Sequence, residues 1–184
     1  MFWDKDLETI SRSDLEKLQI VRLKKALTAA GRTPFYKKRF SESNINPDKI
    51  NSISDLSNLP FTTKSDLRLS YPDGMLAVDR SEVVRLHASS GTTGKSTVIF
   101  YTKNDIDAWS SQLSRGMYSA GIRKSDVFQN MMGYGLFTGG LGLHYGAENL
   151  GCLVIPAATG NSLKQIQLIQ DFGVTLIHIT PSYS

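Results

Sequence analysis

The chain has one cysteine, no long apolar run and few charges in its last third. Each shortage excludes something. Cys152 has no partner for an internal disulfide, so the fold is not a disulfide-stapled secreted scaffold. It lies in an apolar run, Cys152-Leu153-Val154-Ile155, and is expected to be a buried, inert thiol. No stretch approaches the roughly 20 apolar residues of a membrane-spanning helix. The N-terminus, Met1-Phe2-Trp3-Asp4-Lys5-Asp6, is charged and lacks the apolar core of a signal peptide. A cytoplasmic protein with no membrane partner is the expectation.

Aromatic residues do not interleave with basic ones as a nucleic-acid surface would require, so no nucleic-acid partner is expected. The net charge of +4 is unevenly placed. Residues 1–72 carry 13 Lys+Arg and 9 Asp+Glu, whereas residues 73–184 carry 8 of each. The basic clusters Arg22/Lys24/Lys25 and Lys37/Lys38/Arg39 read as solvated helix faces. Between residues 127 and 184 the only acids and bases besides histidine are Glu148, Lys164 and Asp171. Parallel strands covered on both faces would account for that scarcity. At 184 residues and 40% apolar, the chain can bury a core as one domain.

What is present is concentrated in residues 88–97, Ala-Ser-Ser-Gly-Thr-Thr-Gly-Lys-Ser-Thr. Glycine lets backbone approach a ligand closely. Hydroxyls and main-chain N–H groups donate, and Lys95 adds a cation, which is the chemistry of a phosphate cradle. Gly94-Lys95-Ser96 matches the end of a Walker A loop, but that pattern needs glycine at position 89 and a helix after the lysine. The chain has Ser89, followed after the loop by Thr97-Val98-Ile99-Phe100-Tyr101-Thr102, a strand-like run. The loop is therefore expected to join two antiparallel strands. A hairpin tip with no ligand is the bland alternative.

A helix is expected over 13–30, capped by Ser13 and ended by Gly31, with Leu15, Leu18, Val21 and Leu27 on one face. Short helix starts are expected at Ser54-Asp55-Leu56 and Thr63–Leu67. Strand 83–88, the loop and strand 97–101 come next, then a helix over 103–120 with Thr102 and Asp105 at its start. After it, strands at 126–131, 152–155 and 175–179 alternate with helices at 140–150 and 162–172. Such alternation predicts βαβ units and a parallel sheet. Thr180-Pro181 reads as the start of a further helix.

Ligands of such sheets bind beyond the carboxyl ends of the strands. Met132–Gly142, Pro156–Asn161 and Thr180–Ser184 would emerge there. Six of the 15 glycines fall between Gly133 and Gly146, a density that either a pocket wall or close packing explains. The histidines are less informative. His178 reads as a packed strand residue and His87 as a hairpin support. His144 and Glu148 share a helix face but lack further metal ligands. No nucleophile triad stands out, and no metal site or catalytic residue is identified.

Ser89-Ser90-Gly91-Thr92-Thr93-Gly94-Lys95 resembles the phosphate loop of the acyl-adenylate-forming (AMP-binding) ligases. Tyr134-Gly135-Leu136-Phe137-Thr138-Gly139-Gly140-Leu141-Gly142, His144-Tyr145-Gly146-Ala147-Glu148, Pro156-Ala157-Ala158-Thr159-Gly160-Asn161 and Thr180-Pro181-Ser182-Tyr183 resemble the phenylacetate–coenzyme A ligase branch. Leu59-Pro60-Phe61-Thr62-Thr63-Lys64-Ser65-Asp66-Leu67 is similar to that branch's N-terminal signature. The resemblance covers the whole chain. It departs at Ser96, where the family usually has proline, a change that alters loop rigidity more than phosphate contacts.

The resemblance implies an α/β fold with a helical region over 1–75. The first part of the AMP-binding domain would occupy 76–184, with its phosphate loop on a hairpin and a mainly parallel sheet. It implies ATP, Mg2+ and coenzyme A as cofactors and an aryl or arylacetic carboxylate as substrate, as in phenylacetate catabolism. Ser89, Ser90, Gly91, Thr92, Thr93, Gly94 and Lys95 would hold ATP phosphates. Tyr134, Phe137, Gly139 and Gly140 would line the acyl pocket. A homodimer is compatible with it. The family's adenine, ribose and metal motifs, and the lysine of its C-terminal domain, are absent. The chain is thus expected to be an inactive N-terminal part of a longer ligase. A non-catalytic phosphate-binding remnant and a P-loop NTPase are the alternatives.

Overall fold

The computed structural model describes residues 2–89 and 96–183. The first part is helical: α1 (Lys5–Glu8), α2 (Arg12–Ala30), α3 (Pro34–Glu42) and α4 (Lys64–Leu69), with 3-10 turns at Pro47–Lys49 and Ile53–Asn58. Ser11, not Ser13, caps α2, its Oγ accepting from the Asp14 N–H at 3.1 Å. Asp14 reciprocates by accepting from the Ser11 hydroxyl, which places Ser13 inside the first turn.

The apolar face of α2 also differs from expectation. Val21 is 66% exposed. Leu23, Leu27 and Ala30, spaced i, i+4, i+7, instead pack with Phe40 and Ile50 into a small core. Six residues span about one and two-thirds helical turns, so Val21 sits well around the helix from Leu27.

Strands β1 (Val83–Ala88) and β2 (Val98–Thr102) pair antiparallel, with Ala88 opposite Val98 and His87 opposite Ile99. Thr102 ends β2 and caps α5 (Lys103–Ser119). Its Oγ1 accepts from the Asp105 N–H, and Asp105 accepts from the Thr102 N–H at 2.8 Å.

Next come β3 (Val127–Asn130), α6 (Thr138–Leu150), β4 (Leu153–Ile155), α7 (Ser162–Phe172) and β5 (Leu176–His178). The three strands form a parallel sheet in the order β4-β3-β5. Helix α6 starts two residues earlier than expected, and a 3-10 turn occupies Pro181–Tyr183. Gly151 ends α6 at φ 91°, a left-handed position that suits glycine.

The main core joins Phe128 of β3 to Met117 of α5, Ala147 and Leu150 of α6, and Cys152. The Cys152 thiol is buried as expected, and burial is the first cause raising its pKa. The expectation of two covered sheet faces is met only in part: Leu153 is 56% exposed and Ile177 45%.

Candidate active site

The hairpin closes at its base through two reciprocal bonds. The Ser89 N–H donates to the Thr97 carbonyl at 3.0 Å, and the Thr97 N–H donates to Ser89 Oγ at 3.1 Å. Ser89 thereby stands at the root of the predicted phosphate loop. Ser90, Gly91, Thr92, Thr93, Gly94 and Lys95 lie outside the described residues. After them Ser96 and Thr97 are not helical, and β2 begins at Val98. A Walker A loop would turn into a helix there.

Strand β3 delivers the glycine-rich segment. Its last residues, Gln129 and Asn130, are fully buried and polar. Asn130 is a junction. Its Nδ2 donates to the Gly140 carbonyl at 2.7 Å, its Oδ1 accepts from His178 Nδ1 at 3.0 Å, and its carbonyl accepts from the Ala158 N–H at 3.0 Å. Two of the three loops expected at the carboxyl edge, those through Gly140 and Ala158, therefore converge with the end of β5 on one side chain and its backbone. Gln129 donates to Gln165 Oε1 at 2.6 Å, and Gln165 donates to the Ala158 carbonyl at 2.9 Å, fixing the turn after β4. Sequence reasoning passed over Asn130 and Gln129. The available signal was two adjacent polar residues at the end of an apolar strand, where buried amides must find partners.

The glycine-rich segment then reaches the hairpin. The Leu136 carbonyl accepts from the Ala88 N–H at 3.0 Å and from His87 Nδ1 at 2.9 Å. This brings Ser89, at the loop root, into the neighbourhood of Tyr134–Phe137. His87 is 3% exposed and meets Tyr101 and Trp109 edge-on.

Tyr134 is half-buried, and burial is the first cause raising its phenol pKa. Its hydroxyl lies 3.1 Å from His144 Nδ1, and His144 Nε2 lies 3.0 Å from Glu148 Oε1. The shared helix face of His144 and Glu148 thus serves to orient Tyr134. Phe137 is 63% exposed, with its ring beside Gly139. Gly140 is buried, and a Cβ there would run into the Gly133 carbonyl oxygen. Tight packing alone therefore demands glycine at position 140.

No family model matches the chain. The phenylacetate–coenzyme A ligase of Pseudomonas putida is 52% identical over 178 residues, covering 96% of this chain and 40% of that protein. The ligase of the same name from Escherichia coli K12 is 49% identical over 178 residues, covering 96% of this chain and 41% of that protein. The one from Thermus thermophilus is 47% identical over 185 residues, covering all of this chain and 42% of that protein. The chain belongs to the phenylacetate–coenzyme A ligase family, matching its N-terminal portion. It spans about 40% of the length of these curated relatives.

Among solved structures, a 2-hydroxyisobutyryl-CoA ligase in complex with 2-HIB-AMP and CoA has a TM-score of 0.91 at 28% identity, covering 99% of this chain and 40% of that one. An open conformation of that ligase, with the same ligands, gives 0.88 at 26% identity, covering 99% of this chain and 44% of that one. The fold is thus the adenylate-forming ligase fold in part, as the motifs implied.

Two features of this family member bear on cofactors. Among the described residues no group of three or more His, Cys, Asp or Glu side chains is placed to hold a metal ion. A cavity of 540 Å³ opens between the helical region and the hairpin, lined by Leu67, Met75, Val83, Val98 and Phe100. None of the described site residues lines it. Among the described residues no helix is long and apolar enough to cross a membrane.

Proposed function

We propose that this chain supplies the phosphate-binding loop and part of the acyl pocket of an AMP-forming aryl- or arylacetate–CoA ligase. The single observation that carries the reading is the Leu136 carbonyl tie, which holds the end of β1, next to Ser89, beside Tyr134–Phe137. A nucleotide's phosphates and a carboxylate must meet for adenylation, and the nearness of Ser89, where the candidate loop begins, to the candidate acyl segment supports that reading. The same reading divides the chain into a helical region over 1–75 and the start of the AMP-binding domain over 76–184. It carries a cytoplasmic location and is compatible with a homodimer.

In the first step a carboxylate oxygen attacks the α-phosphorus of ATP. The bond to the β-phosphate breaks, giving acyl-AMP and pyrophosphate. Ser89, Ser90, Gly91, Thr92, Thr93, Gly94 and Lys95 would hold the β- and γ-phosphates and stabilise charge on the departing pyrophosphate. Tyr134 and Phe137 would wall the acyl group, with Gly139 and Gly140 keeping backbone close to it. In the second step the coenzyme A thiol attacks the acyl carbonyl and AMP leaves. Mg2+ belongs to the reading, but the described residues offer it no ligand set, and no step is assigned to it.

The test grafts residues 1–184 onto the remainder of the Pseudomonas putida ligase. The chimera is expected to show carboxylate-dependent ATP–pyrophosphate exchange, with kcat/KM falling from phenylacetate to benzoate to acetate. The 184-residue chain by itself is expected to form no thioester. Lys95→Ala in the chimera removes a charge-assisted contact worth about 1.5–3 kcal/mol and should weaken exchange by roughly ten- to a hundredfold. Exchange unchanged by Lys95→Ala removes the lysine from the site. An inactive chimera that still binds ATP points to the non-catalytic phosphate-binding alternative.

A further inference from the structure

We propose that His87 is a positioning residue that couples the two halves of this site by holding the Leu136 carbonyl. The inference rests on the proposed function and goes beyond it in assigning a coupling element. Leu136 belongs to the segment after β3, and His87 lies 49 residues earlier, on β1. A carbonyl has two lone pairs. Both are used here, one by the Ala88 N–H at 3.0 Å and one by His87 Nδ1 at 2.9 Å. Because the acceptor is a carbonyl, Nδ1 carries the proton.

The imidazole is not free to swing away. It is 3% exposed, with Tyr101 and Trp109 edge-on at 5.5 and 5.7 Å. Nε2 has no hydrogen-bond partner among the described residues, and among them the ring's one hydrogen bond is to the Leu136 carbonyl. A buried group that leaves one nitrogen unsatisfied and aims the other at a loop carbonyl fixes that loop at an energetic cost. The loop so fixed is 61% exposed at the Leu136 side chain and rises beside Tyr134 and Phe137. The strand that fixes it ends at Ala88, the residue before Ser89. The root of the phosphate loop and the candidate acyl loop are then one mechanical unit. A ligand that tightens this unit on one side then favours binding on the other, to the same degree in both directions.

Three variants separate this role from bulk packing. His87→Asn keeps an N–H donor near the Nδ1 position, His87→Gln moves the donor to the Nε2 position, and His87→Leu removes it. In the 184-residue chain, amide hydrogen exchange reads the tie directly. Gln and Leu are expected to speed exchange at Ala88 at least tenfold, and Asn to restore it to within threefold. Phe128 and Ile177 in the parallel sheet serve as references for global unfolding and are expected to hold their rates. In the active chimera, the KM for ATP and the KM for phenylacetate are expected to rise together in Gln and Leu and to recover in Asn. In the unsubstituted chimera phenylacetate is expected to tighten ATP binding by up to about tenfold, and that tightening should vanish in the same two variants. Equal Ala88 protection in all four proteins overturns the tie. A lost tie with ATP and phenylacetate still coupled overturns the positioning role. An inactive chimera with the exchange pattern intact counts against the ligase reading alone.

Discussion

At the residue scale His178 links stability to mildly acidic pH. The ring stacks on Phe128, and its Nδ1 donates to Asn130 Oδ1, a group already held by the Gly140 carbonyl. Burial lowers its pKa below the ordinary value of 6.5. In the unfolded chain the imidazole regains that ordinary value, so on acidification the unfolded state takes up the proton first. The stability contribution is therefore complete above about pH 6.5 and is lost as pH falls through the lower folded value. The carboxylates that hydrogen bonding holds low, among them Asp66 and Asp126, respond around and below 3.8, outside this window. Urea midpoints are expected to fall between pH 7.5 and 5.5 in the natural chain and to flatten in His178→Gln. An equal slope in both proteins would place the proton elsewhere.

At the element scale the contact between α5 and α6 sets how the glycines are read. Gly142 and Gly146 are one helical turn apart and lie against Trp109, Leu113 and Ser114 of α5. A Cβ at 146 would sit 2.8 Å from Leu113 Cβ. The approach is close enough for Ser114 to donate to the Gly146 carbonyl at 2.8 Å and Ser110 to the Tyr145 carbonyl at 2.9 Å. Gly146→Ala should cost about 1–3 kcal/mol through overpacking. Gly116 on α5 has nothing within 4 Å of an added Cβ, so Gly116→Ala should gain about 0.5–1 kcal/mol from helix propensity. Thermal unfolding of both variants checks the pair, and loss at 116 or gain at 146 would contradict it. The same helices show what the sequence made legible. Alternation, caps such as Thr102/Asp105, and loops at strand ends are local signals, and they placed every strand and the helices α2, α5, α6 and α7 to within about two residues, while α3 was not placed. Which glycines serve packing is a tertiary fact. So is the meeting of His87 and Leu136 across 49 residues. Spacing alone carries neither, because nothing local distinguishes a glycine facing a ligand from one facing a helix.

At the scale of the whole molecule the surface is too large for its mass. The accessible area is 11924 Å², whereas a compact monomer of 20.4 kDa exposes about 8,800 Å². The excess of about 3,100 Å² is comparable to a large permanent interface. Part of it is apolar and sits around the parallel sheet. Leu163, Ile166 and Phe172 of α7 are 82%, 51% and 55% exposed. Strands β4 and β5 flank β3 and expose Leu153 and Ile177, and among the described residues neither pairs with a further strand. Unpaired strand edges beside apolar side chains recruit other chains. The 184-residue protein is therefore expected to self-associate in a concentration-dependent way and to enhance the fluorescence of an apolar-surface dye. A charge at each place, Leu163→Glu with Ile177→Lys, should shift sedimentation toward monomer and lower the dye signal without lowering the unfolding midpoint, since both side chains already face solvent. A natural chain that sediments as a monomer at all concentrations and leaves the dye dark would show these surfaces to be inert. The excess area would then lie in the helical region, where Phe61 and Leu69 are 90% and 85% exposed. Charge substitutions there would be the ones to alter dye binding.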